Sequence, residues 1–336
     1  MGIQYFPEVQ TFHLQGKQFS YLIKIFQGKT LLNLYYGKKI RSKELDHLIP
    51  SRDRAFGLNP DPENRNLPFD CLPMEYPCYG HFDYRHPALH LQYENGATVT
   101  DLIYKSHRIY PGKEPLEGLP AAYIEETDEA ETLEIILEDP LTSVELRLTY
   151  TVYNNRDILC RSARLNNGGS EQINVKSVQS MSVDLLDSRY EMLQLSGAWA
   201  RERMPVRRPL VPGMQSVGSR RGASSHQHNP FIALLRPETT ESFGEVFGFS
   251  LVYSGNFLAE VEVSEQGMTR VTMGIDPFNF SWLLKPGESF QSPEVIMAYS
   301  PDGLGGLSRT YHDLFRERLC RGIWRDRERP ILVNNW

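Results

Sequence analysis

Val144-Glu145-Leu146-Arg147-Leu148-Thr149-Tyr150-Thr151-Val152 decides the class of fold. Apolar side chains take every second position and polar ones fill the gaps, the period of a strand with one face in a core and the other in water. Upstream, Leu133-Glu134-Ile135-Ile136-Leu137 precedes a turn at Pro140. Downstream, residues 158–165 run into Asn166-Asn167-Gly168-Gly169, a hairpin-type connection. A weaker alternation sets Val175, Ser177, Gln179 and Met181 against Lys176, Val178, Ser180 and Ser182. Residues 19–26, 31–36 and 89–93 (the last before Asn95-Gly96) read as strands, and so do 247–253, 259–263, 269–273 and 293–299. No long segment of helical period precedes residue 304. Many strands at short spacing, joined by Gly, Pro and Asn turns, predict a large antiparallel sandwich.

The period changes after Pro301-Asp302-Gly303. Leu307, Tyr311, Leu314, Phe315 and Leu319 follow helical spacing, with Ser308 as a candidate N-cap. Arg316, Arg318 and Arg321 suit the negative end of the helix dipole, and Gly322 is placed to end the helix. A charged connector, residues 325–329, leads to Ile331-Leu332-Val333. That continuous apolar run has the pattern of a parallel strand buried on both faces, or of a short core helix. In a (β/α) barrel the strand ends face the active site, so Asn334, Asn335 and Trp336 would meet substrate. The other expectation is an edge strand added to the preceding domain.

Composition narrows the function. The 336 residues are 40% apolar and 23% charged, ordinary for a globular protein. A net charge of −6 argues against a dedicated nucleic-acid binder. No apolar stretch is long enough to span a membrane, and the N-terminus lacks the regions of a secretory signal and the Ser or Thr of a myristoylation site. Cys71, Cys78, Cys160 and Cys320 match no zinc spacing and are expected to be buried free thiols, which fits a cytoplasmic protein.

Two stretches break the strand rhythm and are expected to be functional loops, residues 46–87 and 197–229. The second carries Arg201, Arg203, Arg207, Arg208, Arg220 and Arg221. No nucleophile elbow, zinc-protease or P-loop pattern occurs. His226 and His228 are better read as hydrogen-bonded structural groups than as a metal pair. His86 and His90 are four apart, but Pro87 disfavours the helix that would align them. Neither a metal nor a cofactor is expected. Two carboxylates could form a glycosidase pair, a separation that sequence does not reveal. Trp199, beside a glycine on a loop, could offer a flat face to sugar C–H groups, although an isolated Trp is more often core. Trp282 is assigned to the core. Asp53, between Arg52 and Arg54, is either a solvated ion pair or an acceptor for sugar hydroxyls.

Several segments together resemble one family. Leu72-Pro73-Met74-Glu75-Tyr76-Pro77 with Asp83-Tyr84-Arg85-His86-Pro87-Ala88, Ser196-Gly197-Ala198-Trp199-Ala200-Arg201-Glu202, and Arg221-Gly222-Ala223-Ser224-Ser225-His226-Gln227-His228-Asn229-Pro230-Phe231 are similar to glycoside hydrolase family 36 α-galactosidases. So is the closing Arg329-Pro330-Ile331-Leu332-Val333-Asn334-Asn335-Trp336. The resemblance implies a mainly β protein: a galactose mutarotase-like β-supersandwich over residues 1–303, a linker helix and connector over 304–328, and the first strand of a truncated (β/α)8 catalytic barrel over 329–336. It implies a bacterial intracellular enzyme acting on melibiose- and raffinose-type α-galactoside oligosaccharides by a retaining mechanism. Both catalytic aspartates would lie beyond this chain, which is then inactive by itself. It further implies substrate-binding roles for Trp336, Trp199 and Asp53, and for Arg65. Asp53 and Arg65 would belong to a loop that tetrameric members insert into a neighbouring subunit. The competing expectations are a stand-alone mutarotase-like sugar-active or carbohydrate-binding sandwich, whose tail would dock back as a finished edge, and an assembly module that clamps partner chains.

Overall fold

The computed structural model describes residues 2–41, 43–53, 59, 64–80 and 82–335. Four strands open the chain: β1 (Gly2–Phe6), β2 (Thr11–Gln15), β3 (Phe19–Phe26) and β4 (Thr30–Lys38). They form an antiparallel meander in that order. The middle of the chain supplies β5 (Leu89–Tyr93), β6 (Ile103–Pro111), β7 (Ala130–Asp139), β8 (Val144–Tyr153), β9 (Ile158–Asn167) and β10 (Ile173–Leu185). Then follow β11 (Glu191–Ala198), β12 (Arg201–Pro209), β13 (Gly213–Ser219), β14 (His228–Leu235), β15 (Val246–Val252), β16 (Phe257–Val263) and β17 (Thr269–Ile275). Three last strands, β18 (Trp282–Leu284), β19 (Ser289–Gln291) and β20 (Glu294–Ser300), precede the helix α1 (Gly303–Arg318).

Ten strands make the largest sheet, in the order β12-β11-β14-β15-β20-β9-β8-β7-β6 with β19 beside β9. A six-stranded sheet runs β13-β16-β17-β10-β18, with β5 also on β10. The 13-residue β10 serves two sets of partners, β5 and β18 along its first half and β17 along its second. One continuous core joins the three sheets. Leu146, Leu148, Tyr150 and Val152 of β8 enter it with Phe12, Tyr21, Val175, Met181, Phe249 and Met297. The mainly β sandwich expected from the alternation is therefore present, and the β7–β8 hairpin pairs in full register from Ala130↔Tyr153 to Asp139↔Val144.

Residues 166–169 do not make the expected hairpin. β9 pairs with β8, β19 and β20, and β10 pairs in the other sheet, so this turn carries the chain across the core. The local turn chemistry is the same in both cases; only the partners differ. The stretch 197–229 is not an irregular loop either, because it contains β12 and β13, each at the edge of a sheet. An edge strand has no need of an apolar face, which hid both from the hydrophobic period.

The stretch 46–87 divides in two. Residues 68–80 are largely buried, held by charge rather than by regular pairing. Arg85 binds Asp83 (Nε–Oδ1 2.8 Å), Asp184 (3.1 Å) and the Leu72 carbonyl (2.6 Å). Arg270 bridges Asp184 and Asp83, each at 2.7 Å. Burial alone would raise the Asp83 carboxyl, but Arg270 and Arg85 overcome it and hold it below the usual range. A second buried group centres on Glu75, which accepts from Arg161 (2.6 Å), the Tyr150 hydroxyl (2.8 Å) and the Tyr21 hydroxyl (2.8 Å). Removing one member of such a set leaves an unpaired charge and costs about 3–5 kcal/mol. The segments Leu72-Pro73-Met74-Glu75-Tyr76-Pro77 and Asp83-Tyr84-Arg85-His86-Pro87-Ala88 thus pin an irregular strand of chain between sheets.

Helix α1 lies on the outer face of the ten-stranded sheet through Leu307, Tyr311 and Leu314. Gly248 lets it approach, since a Cβ there would fall 2.7 Å from the Tyr311 ring, and the Tyr311 hydroxyl donates to the Ile296 carbonyl at 2.9 Å. The helix starts at Gly303, not Ser308. Its first amides donate to the carbonyls of Gly244, Thr240 and Glu241 at 2.8–3.0 Å, so a neighbouring loop replaces the side-chain cap. It ends at Arg318, four residues before Gly322, where Arg318 binds Glu129 at 2.6 Å. From Cys320 to Asn335 the chain is exposed except for half-buried Arg325, and residues 331–335 form no strand. Ile331, Leu332 and Val333 are 96%, 88% and 82% exposed, so the tail does not finish an edge of the sandwich. Among the described residues no helix is long and apolar enough to cross a membrane.

Candidate functional site

The turn between β11 and β12 brings together two of the segments singled out in the sequence. Ala198 pairs with Arg201, leaving Trp199 and Ala200 as a two-residue tip with Ala200 at φ 63°. Gly197 makes the bulge beneath it possible, because a Cβ at that position would lie 2.2 Å from the Arg201 carbonyl oxygen. The Gly197 amide donates to the Gln227 carbonyl at 3.0 Å, and Ser196 Oγ meets His228 Nδ1 at 3.0 Å. Residues 196–202 and 221–231 are therefore one local structure. Trp199 is 86% exposed, against the common core role of a lone tryptophan.

The same turn carries polar groups. Glu202 Oε1 accepts from the Ala200 amide at 2.9 Å. The amides of Glu202 itself and of Ala200, with His226 nearby, hold its carboxyl below the usual range. An exposed ring on a turn that also carries an ionised carboxylate can stack on the C–H face of a sugar while the carboxylate accepts from its hydroxyls. Nothing in this group pairs a nucleophile with an acid. This arrangement is suited to recognition.

Asp53 and Arg65 lie elsewhere, on the loop that follows β4. The Arg52 amide donates to the Asn66 carbonyl at 2.7 Å, so the two limbs carrying Asp53 and Arg65 run side by side. Both residues are exposed. The base is packed by Leu45, Phe69 and Leu72, with Leu48, Ile49 and Leu67 at the margin. The structure brings these two residues together, while Trp199 stands between β11 and β12 of the largest sheet. Trp336 lies outside the described residues. Trp282 is not core: it sits 48% exposed on the short edge strand β18, its ring 5.5 Å from that of Phe290. A three-residue edge strand buries too little to hide an indole.

His228 lies under the Trp199 turn, hydrogen-bonded through Nδ1 to Ser196, whereas His226 is exposed near Glu202. His86 Nε2 lies 3.0 Å from Glu260, and its amide donates to Glu262 at 2.6 Å. Among the described residues no group of three or more His, Cys, Asp and Glu could hold a metal ion. Cys71, Cys78 and Cys160 are buried free thiols, whereas Cys320 is exposed beyond the end of α1. Burial pushes the Cys71 thiol up, so it is unreactive.

One concavity was invisible in the sequence. The polar residues of β8 read there as a face in water, yet Thr151 is buried, as is Ser162 on the adjacent β9. Residues 111–121 pass over them and enclose a cavity of about 180 Å³ lined by Lys113, Arg147, Thr149, Ser162, Arg164 and Gln291 among others. The alternation was the same as for a wet face; the covering segment comes from elsewhere in the chain.

Residues 29–285 match the family model described as the glycosyl hydrolase family 36 N-terminal domain. The chain belongs to glycoside hydrolase family 36. Residues 289–336 match a second family model, Melibiase. Among curated family 36 relatives, alpha-galactosidase AgaA of Geobacillus stearothermophilus is 54% identical over 336 residues, which is 100% of this chain and 46% of the relative. Alpha-galactosidase 1 of Pediococcus pentosaceus is 43% identical over 328 residues, 97% of this chain and 45% of that protein. The crystal structure of the family 36 alpha-galactosidase AgaB from Geobacillus stearothermophilus superposes with a TM-score of 0.96 at 54% identity, covering 100% of this chain and 46% of that one. A variant of AgaA solved in complex with raffinose has a TM-score of 0.94 at 55% identity, covering 97% and 45%. The chain spans about half the length of the curated relatives it matches.

Proposed function

We propose that this chain is the N-terminal sandwich of an α-galactosidase that removes terminal α-galactosyl units from raffinose- and melibiose-type oligosaccharides. The observation that carries the reading is 54% identity over the whole chain to an alpha-galactosidase of which it spans 46%. Structures of AgaA variants with raffinose and with stachyose support the substrate class. In this reading the sandwich occupies residues 1–303, the helix and connector 304–328, and the first strand of the catalytic barrel 329–336. The Melibiase match, which runs through 336, and the exposed Ile331, Leu332 and Val333 support that assignment.

Cleavage would use two carboxylates outside this chain, one protonating the leaving oxygen and one attacking the anomeric carbon. The sandwich's part is to wall the sugar. Trp199 would stack on it and Trp336 would close the pocket from the barrel strand. Asp53 and Arg65 would reach a neighbouring subunit's pocket in a homotetramer. The exposure of Asp53 and Arg65 on one packed base supports an intersubunit role. A reducing cytoplasmic location is supported by three buried thiols left unpaired.

The test is Trp199→Ala in the full-length product of the gene, assayed on raffinose. Losing one aromatic face worth about 1.4 kcal/mol lowers kcat/KM about tenfold. Unchanged kcat/KM on raffinose would remove Trp199 from the substrate wall.

A further inference from the structure

The cavity beneath residues 111–121 holds an unusual pair. Arg147 of β8 and Arg164 of β9 are directly opposed across the two strands, and Gln291 of β19 is the next partner of Arg164. Like charges at opposed positions weaken an antiparallel pair, more so where protein covers them. Two of the four carboxylates that line the cavity, Glu134 and Glu294, are engaged by other groups. Glu134 is bound by Arg108 at 2.7 and 3.0 Å and by the Tyr110 hydroxyl at 3.1 Å, which leaves Arg147 3.8 Å away. Glu294 is held by Lys113 at 2.6 Å and by the Ala122 amide at 2.8 Å. Arg147 Nε is shut off from solvent and, among the described residues, has no hydrogen-bond partner. Arg164 donates to the Ser289 hydroxyl at 2.7 Å.

We propose that this cavity binds a small hydroxylated molecule through one oxyanion, a phosphate or a carboxylate, placed between Arg147 and Arg164. Two guanidinium groups present planar forks of donors that match either anion and would turn their mutual repulsion into a shared attraction. Thr149, Ser162 and Gln291 line the same space and supply neutral hydrogen bonds. Glu114 and Glu117, exposed on the covering segment, border the opening. They accept from hydroxyls and repel a second anionic group, which selects a ligand with a single charged end. The site is on the outer face of the ten-stranded sheet and does not depend on the α-galactosidase reading.

Thermal unfolding of the 336-residue protein tests the proposal, with glucose 6-phosphate and gluconate as probes. Sodium chloride at matched ionic strength and galactose are the controls. A saturable rise in Tm of about 2–4 °C is expected with at least one of the two anions and with neither control. The anion giving the rise identifies phosphate or carboxylate as the group bound. Arg164→Gln and the double variant Arg147→Gln/Arg164→Gln should lose the rise while melting no lower than the parent in the absence of anion, since two facing positive charges have gone. The proposal is overturned if neither anion raises Tm, if galactose does so equally, if the double variant keeps the rise, or if the variants melt lower without anion.

Discussion

Asp53 stands on an exposed limb tied to its neighbour by the Arg52–Asn66 backbone bond, and its side chain is not part of the packed base. Truncating it therefore removes chemistry without removing core. In the full-length protein, Asp53→Ala should lower kcat/KM on raffinose and leave stability within about 0.5 kcal/mol. A large drop in Tm with unaltered kinetics would make Asp53 structural and end the intersubunit reading. His13 behaves in the opposite way. It is buried, with Nε2 2.8 Å from Ser20 Oγ and the Gln15 amide group 3.1 Å from Nδ1. Burial first, then the Lys39 charge, pushes its pKa down to about 4. On acidification the unfolded chain, with an ordinary histidine, takes up the proton first. Stability contributed by neutral His13 is complete above about pH 6.5 and falls as pH drops toward 4. His13→Gln should flatten this part of the pH profile of urea midpoints between pH 7 and 4.5. An identical slope in the variant would assign the acid sensitivity to other groups.

At the scale of elements, α1 and the segment after it differ in how their groups are satisfied. The helix has its first amides on a neighbouring loop, its apolar stripe on β15 and β20, and Arg318 on Glu129. Residues 331–333 have three apolar side chains in water and no strand partner. An unprotected apolar segment of this kind invites association. In a polypeptide of residues 1–336, amides 331–335 should exchange with solvent orders of magnitude faster than those of α1. Leu332→Asp should raise solubility while shifting Tm by less than about 1 °C, because the replaced side chain is already exposed. Protection of amides 331–335 equal to that of α1 would mean that this segment pairs within the sandwich, and the barrel-strand assignment would fail.

For the whole molecule, three sheets share one core, and two buried charge groups cross it. Such an assembly carries its own stability, so residues 1–336 are expected to fold. They are also expected to be inactive. In the proposed reading the Trp199 turn and the Asp53 loop would supply binding surfaces, whereas hydrolysis of an α-galactoside needs a positioned acid and nucleophile. An aryl α-galactoside assay on purified residues 1–336 checks this directly. Turnover near that of an ordinary enzyme, about 1 s⁻¹ or more, would place the catalytic pair inside the sandwich and overturn the proposed division of labour.

Strand content was legible because alternation is local: Phe19–Phe26 and Leu89–Tyr93 fall where the period puts them, and α1 appears where the period turns to 3.6. The Trp199 segment could be singled out by its residue types, as could the loop carrying Asp53 and Arg65. What lies over each face was not legible. A polar stripe reads the same whether water or residues 111–121 cover it, which concealed the Arg147–Arg164 pair in plain alternation. Likewise Asn166-Asn167-Gly168-Gly169 suits a hairpin or a crossover, and only the partners of β10 choose between them. The start of α1 was misread because loop carbonyls, not a serine, receive its first amides. The buried charges were least readable of all, since Arg85 meets Asp184 from 99 residues away. Periodicity reports that two faces of an element differ; which distant residues satisfy each face is settled only when the sheets close.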